Sequence, residues 1–155
     1  MTDFNDMLVP GAVEAALGAS NKKSLFQQLG QISEREFGIE QKLVIDRLTE
    51  RERLGSTGFG DGVAIPHGKI PGVDRVVGVF ARLAEPIEFQ AIDDMPVDLI
   101  FMLLSPPDAG VDHLKALARV SRQLRDRIFV AKLRGASSTD ALYALLTGVG
   151  TRDAA

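Results

Sequence analysis

The sequence predicts an α/β sandwich: one domain with a mixed central β-sheet of about five strands and helices on both faces. Three observations lead there. Two apolar-periodic stretches with charged opposite faces run from Ser20 to Arg53. A β-branched and aromatic block, Val76 to Leu83, and a nearly unbroken apolar run, Val97 to Leu104, follow as strands buried on both faces. Helical patterns then return after Pro106-Pro107. Helices on either side of such strands bury their apolar faces only by layering on the two sides of one sheet. At 155 residues the chain has the size of a single domain, expected over 1–155 with its core at about 8–148.

The first helix has Ser20 as candidate N-cap, Leu25, Phe26, Leu29 and Ile32 at helical spacing, and a stop at Gly38. The second runs from Glu40 to Arg53 with Leu43, Val44 and Leu48 on one face and Gly55 as its terminus. Gly55 to Gly62 holds four glycines in eight residues and reads as a flexible turn. The extended run Val63-Ala-Ile65 then leads into Pro66, so His67 is expected at the end of a strand-like segment. Ile87 to Phe89 is a candidate edge strand or hairpin arm, with Pro86 and Asp93-Asp94 marking turns. Leu114, Leu117, Ala118, Leu124 and Ile128 form the expected buried stripe of a later helix, broken near Arg127, and Ser137 with Asp140 makes a capping box for a last helix through Leu146.

Composition excludes several function classes. Charged residues at 25% and hydrophobic ones at 45% describe an ordinary globular chain, and a net charge of -3 gives no general pull toward nucleic acid or anionic lipid. The absence of cysteine excludes disulfides, thiolate metal sites and a cysteine nucleophile, and fits a reducing compartment. Met1 to Asp6 has no basic and apolar leader pattern, and Leu99 to Leu104 is too short to cross a bilayer. The expectation is a cytoplasmic protein without membrane insertion.

The candidate chemistry centres on His67, in Ala64-Ile-Pro-His-Gly-Lys69. A neutral imidazole offers one free ring nitrogen that can attack phosphorus while the other keeps its proton. Pro66 fixes the approach of the chain, and Gly68 removes a Cβ from the path of a bulky phosphoryl group. The rival reading, in which His67 only caps a strand, weakens once the neighbours are counted. Arg51 ends the second helix, and Ser56, Thr57 and the glycine N–H groups that follow are donors suited to phosphate oxygens. Arg51 alone, within Glu50-Arg-Glu-Arg53, could equally be a solvated charge, and His113, at the start of the post-proline helix, could equally be a cap residue. If the carboxyl ends of segments 63–65 and 97–104 lie side by side, His113 comes near His67.

Competing motifs fail. Five residues rather than four separate Gly62 from Gly68, and Ile70 follows Lys69 where a nucleotide-binding P-loop needs Ser or Thr. Gly58, Gly60 and Gly62 lack the dinucleotide-binding spacing. The carboxylates Asp61, Asp93, Asp94 and Asp112 have no metal-ligand spacing with the histidines. Lys115 to Arg134 carries seven basic residues against one acid, Asp126, a solvated face or a docking patch.

The run Arg51-Glu-Arg-Leu-Gly-Ser-Thr-Gly-Phe-Gly-Asp-Gly-Val-Ala-Ile-Pro-His-Gly-Lys69 resembles the signature of the fructose, mannitol and nitrogen-regulatory class of phosphotransferase-system IIA domains. The likeness continues through Leu99-Ile-Phe-Met-Leu-Leu-Ser105 and His113-Leu-Lys-Ala-Leu-Ala118. The stand-alone architecture is most like the nitrogen-regulatory kind. The resemblance implies that His67 accepts a phosphoryl group on its tele nitrogen from an HPr-like carrier, that His113 is a second active-site histidine, and that Arg51, Ser56, Thr57 and Gly68 surround the phosphoryl oxygens. It implies no cofactor and no metal. The implied partners are the HPr-like donor and either regulatory targets such as sensor kinases or transporters, or a IIB protein. Asp61 stands where the family often has Asn, a carboxylate expected to weaken phosphate retention or to alter the rate of transfer.

Overall fold

The computed structural model describes residues 4–148; the ends of the expected domain, 1–3 and 149–155, lie outside it. After a 3-10 turn at Pro10–Ala12 come β1 (Val13–Leu17), α1 (Lys22–Phe37), α2 (Gln41–Arg53), β2 (Gly58–Gly60), β3 (Val63–Ala64), β4 (His67–Lys69), β5 (Val77–Ile87), β6 (Val97–Ser105), α3 (Gly110–Leu124), α4 (Arg127–Gly135) and α5 (Thr139–Thr147). The sheet is mixed, in the order β1-β5-β6-β3-β2, with β4 also paired to β6. β5 and β6 are antiparallel, whereas β1 runs parallel to β5, and β3 and β4 run parallel to β6.

The two central strands explain the layering, because alternate residues point to opposite faces. Val79, Ala81, Ile100, Met102 and Leu104 pack with Leu25, Leu29, Val44 and Leu48 of α1 and α2. Phe80, Leu99, Phe101 and Leu103 pack with Val120, Leu124, Leu133, Leu142 and Leu146 of α3, α4 and α5. The expected α/β sandwich is thus present, with the helices divided between two cores.

Several local expectations are corrected. Asn21, not Ser20, caps α1: its side chain accepts from the Ser24 N–H at 2.8 Å, and the Ser24 hydroxyl accepts from the Asn21 N–H at 3.2 Å. Gly38 ends the helix in the left-handed region, φ 68°. Ser138, one residue past Ser137, caps α5. The α3 stripe is rotated from the expected one: His113, Ala116, Val120 and Leu124 are buried, whereas Leu114, Ala118 and Ile128 are exposed. The expected break near Arg127 is present, at Arg125-Asp126, where the Asp126 carboxylate accepts from the Ile128 and Phe129 N–H groups. No separate strand spans Ile87 to Phe89. β5 runs on through Pro86 to pair Ile87 with Val97, the proline lying in the irregular stretch after the Arg82–Leu99 pair, where its missing N–H breaks no ladder bond.

Two elements went unforeseen. The Ala-rich β1 is an edge strand held by pairing to β5. The glycine loop is a hairpin rather than a flexible turn: β2 and β3 are antiparallel around Asp61-Gly62, both at positive φ, 57° and 81°. Two consecutive left-handed residues are what a tight hairpin turn asks of an Asp-Gly pair.

Candidate active site

The site forms where β3 and β4 line the same edge of β6 as one interrupted strand. Ala64 pairs with Ile100 and His67 with Leu103. Pro66 between them has no N–H to donate, but its carbonyl accepts from the Leu103 N–H at 3.0 Å. His67 therefore opens a strand instead of closing one, and its ring turns back on the break. Its Nδ1 lies 2.8 Å from the Ile65 carbonyl oxygen.

On the other side of the ring, Arg51 in the last turn of α2 donates from Nε to His67 Nε2 at 3.1 Å and from Nη1 to the Gly55 carbonyl at 2.9 Å. These two contacts fix the tautomer. A carbonyl can only accept and a guanidinium can only donate, so the proton sits on Nδ1 and the lone pair on Nε2. Burial pushes the His67 pKa down. The Ile65 hydrogen bond opposes that shift, the Arg51 charge adds to it, and Glu52 offsets part of it. The imidazole stays neutral and nucleophilic at neutral pH.

His113 comes from the first turns of α3, with its ring centroid 5.6 Å from that of His67 and tilted by 51°. It is buried, at 8% exposure, and its Nδ1 lies 2.6 Å from the hydroxyl of Ser105, the last residue of β6. Its pKa is also lowered, by burial first and then by His67 and Lys69.

The structure thus brings Arg51, His67 and His113 together. Thr57 and Ser56 are engaged within the loop. The Thr57 hydroxyl donates to Glu52 at 2.6 Å and its N–H reaches both Glu52 oxygens at 3.2 Å, while the Ser56 hydroxyl accepts from the Gly58 N–H at 3.1 Å. Gly68 lies against α2, where an added Cβ would meet the Arg47 Cβ at 3.2 Å. Asp61 sits at the hairpin tip, its N–H on Asp93 and its carbonyl on Arg134.

Two residues escaped the sequence reading. Glu52 has a side chain only 7% exposed and also binds Lys22 at 2.9 Å. Through Thr57, whose carbonyl accepts from the Ile65 N–H at 3.0 Å, it braces the segment whose Ile65 carbonyl holds His67. Its place inside a charge run hid it. Ser105 carries a signal in the sequence, a lone polar residue closing an apolar run. Among the described residues no three His, Asp or Glu side chains gather as a metal site, and no helix is long and apolar enough to cross a membrane.

The family described as phosphoenolpyruvate-dependent sugar phosphotransferase system, EIIA 2, matches residues 7–148. A nitrogen regulatory protein of Bradyrhizobium diazoefficiens is 45% identical over 143 residues, covering 92% of this chain and 94% of its own. A fructose-specific EIIA component of Haloferax volcanii is 40% identical over 110 residues, 71% of each chain. The crystal structure of the nitrogen regulatory protein IIA-Ntr from Neisseria meningitidis superposes with a TM-score of 0.87 at 38% identity, over 92% of this chain and 98% of that one.

Proposed function

This chain belongs to the EIIA 2 family of the phosphoenolpyruvate-dependent sugar phosphotransferase system, and on that premise we propose that it is a cytoplasmic phosphocarrier taking a phosphoryl group onto His67 from a phosphorylated HPr-like protein. The observation that carries the reading is the tautomer: Nδ1–H is held by the Ile65 carbonyl, which leaves the Nε2 lone pair as the nucleophile. That lone pair forms the new N–P bond as the donor's N–P bond breaks and its electron pair returns to the donor's imidazole. His67 keeps its Nδ1 proton throughout, so no base is needed.

Catalysis then consists of positioning and charge stabilisation. In the resting protein the Arg51 Nε–H occupies the direction phosphorus must take. Arg51 therefore leaves Nε2 as the phosphoryl group arrives and donates to its oxygens, a charge-assisted contact that strengthens as negative charge gathers on them. Leu54, Val111 and Leu114, 85%, 64% and 66% exposed, give the end of α2 and the start of α3 an apolar surface for a docking carrier.

The phosphorylated form differs by a local negative charge at a fixed surface, enough to switch binding to regulatory targets such as sensor kinases or transporters. The nitrogen-regulatory relatives support this regulatory role. The fructose-specific relative favours a second reading, in which phosphate passes onward to a IIB protein.

The test is to mix the protein with phosphoenolpyruvate, the first enzyme of the system and an HPr-like carrier, then to follow intact mass and acid lability. One acid-labile phosphoryl group is expected on the wild type and on His113→Ala, more slowly on the latter, and none on His67→Ala. A folded wild type that takes up no phosphate from any competent carrier leaves a binding-only module. Onward transfer to a IIB protein decides for the second reading.

A further inference from the structure

The geometry points to Ser105 as a positioning residue that holds the His113 proton on Nε2, so that this N–H donates to the transferring phosphoryl group. The inference rests on the phosphocarrier reading for what the N–H acts upon, but the tautomer itself does not.

The argument begins with strand parity. Leu99, Phe101 and Leu103 of β6 face the α3 side of the sheet, and Ser105 continues that row. It is fully buried and lies opposite Lys69 in the ladder, two residues beyond the Leu103–His67 pair. Its main-chain carbonyl accepts from the Ile70 N–H at 2.8 Å, and its hydroxyl lies 2.6 Å from His113 Nδ1. The backbone bond anchors the strand end, which leaves the hydroxyl committed to the imidazole.

That contact can run in either direction, and the proton count decides which. If Nδ1 carried the proton, Ser105 would accept, and its own O–H would need an acceptor in a fully buried site. His113 is the only partner of this hydroxyl among the described residues. If Ser105 donates to an unprotonated Nδ1, its single proton is used and only lone pairs go without partners. Burying a donor unpaired forfeits its hydration with nothing in return, and unpaired donors are rarer than under-used acceptors. Ser105 therefore donates, and neutral His113 carries its proton on Nε2.

Burial, His67 and Lys69 favour the neutral ring, so the tautomer is a property of the working protein. The Nε2–H bonds to no other described residue, and its ring lies beside that of His67. The two histidines thus hold opposite tautomers: Nδ1–H in His67, with Nε2 as nucleophile, and Nε2–H in His113 as donor. During transfer His113 keeps its proton and donates a hydrogen bond to a phosphoryl oxygen, while the N–P bond to the carrier breaks and that to His67 Nε2 forms. A His113 of the other tautomer would present a lone pair to anionic oxygens and repel them.

Long-range 1H–15N correlation of the unphosphorylated, 15N-labelled wild type at pH 8 reads the tautomer directly. Protonated Nε2 and unprotonated Nδ1 are expected for His113; the reverse pattern overturns the proposal. In Ser105→Ala the tautomers should mix and phosphoryl uptake should slow on the order of tenfold, with KM for the carrier unchanged, as for loss of part of a positioned donor. A variant that keeps both the Nε2–H tautomer and the full rate also overturns it. Should Ser105→Ala not fold, the wild-type spectrum still decides. Failure of the wild type to accept phosphate would sink the phosphocarrier reading while leaving the tautomer result intact.

Discussion

The two sides of the site are built differently. On the α2 side, His67 is half-buried and gripped through both ring nitrogens, by a main-chain carbonyl and by Arg51, itself tied to the Gly55 carbonyl. On the α3 side, His113 is buried on the helix stripe and touched through one nitrogen by one hydroxyl. In the proposed transfer, the nucleophile needs a fixed tautomer and a cationic neighbour that can move with the charge. A stabilising donor needs a rigid place and one free N–H. The loop side is therefore held by exchangeable polar contacts, and the helix side by core packing.

Removing Arg51 should break this contrast most severely. Arg51→Ala is expected to slow phosphoryl uptake by roughly 10²–10³-fold, the loss typical of one preorganised donor at a developing charge, measured by quenched-flow with intact-mass detection. Arg51→Lys should recover only part of it, since one ammonium cannot both reach the oxygens and bond Gly55. On the other side, His113→Gln should cost about 10-fold or more in rate and leave acceptance on His67 intact. An equal loss in the two variants would erase the distinction between the sides.

Glu52 tests whether the loop contacts are structural. Glu52→Ala leaves Thr57 and Lys22 without their buried partner and should cost about 1–3 kcal/mol in denaturant unfolding, with a lower rate because the Thr57–Ile65 brace beneath His67 loosens. Gly68→Ala should cost about 1 kcal/mol, since the Arg47 side chain must yield only a few tenths of an ångström.

The subtlest effect is on pH. Both histidines have pKa values below the ordinary 6.5, chiefly through burial. Above that value neither form of the chain is protonated there and full stability is present. As pH falls below it, the unfolded chain binds protons before the folded one, so stability declines until the lowered folded pKa values are passed. Urea titrations of wild type, His67→Gln and His113→Gln between pH 8 and 5 should show a shallower decline in each variant, and the acid limb of the phosphorylation rate should lie below 6.5. A steeper decline in either variant would reverse the assignment.

How much of this was legible in the chain follows the range of the interactions. The strands of residues 97–104 and 76–83 announced themselves through continuous apolar content, and the helices through period and caps, because those signals are local. Asp61-Gly62 also announced a hairpin, but the many glycines around it read as looseness. β1 was silent because five residues, Val-Glu-Ala-Ala-Leu, have little strand preference until β5 supplies the partner.

By itself, the sequence determined a two-sided α/β sandwich and a short stretch, Arg51 to Lys69, in which an arginine, a glycine-rich segment and a histidine after proline had to lie close together, since few residues separate them. Only the tertiary structure decided which nitrogen of His67 carries the lone pair, that His113 lies beside it, and that Glu52 and Ser105 brace the two sides. Those facts depend on β6 bringing residues 67 and 103 into register and on α3 turning its buried stripe toward them. Hydrogen-bond partners across such sequence distances follow from register and packing, which no local pattern encodes.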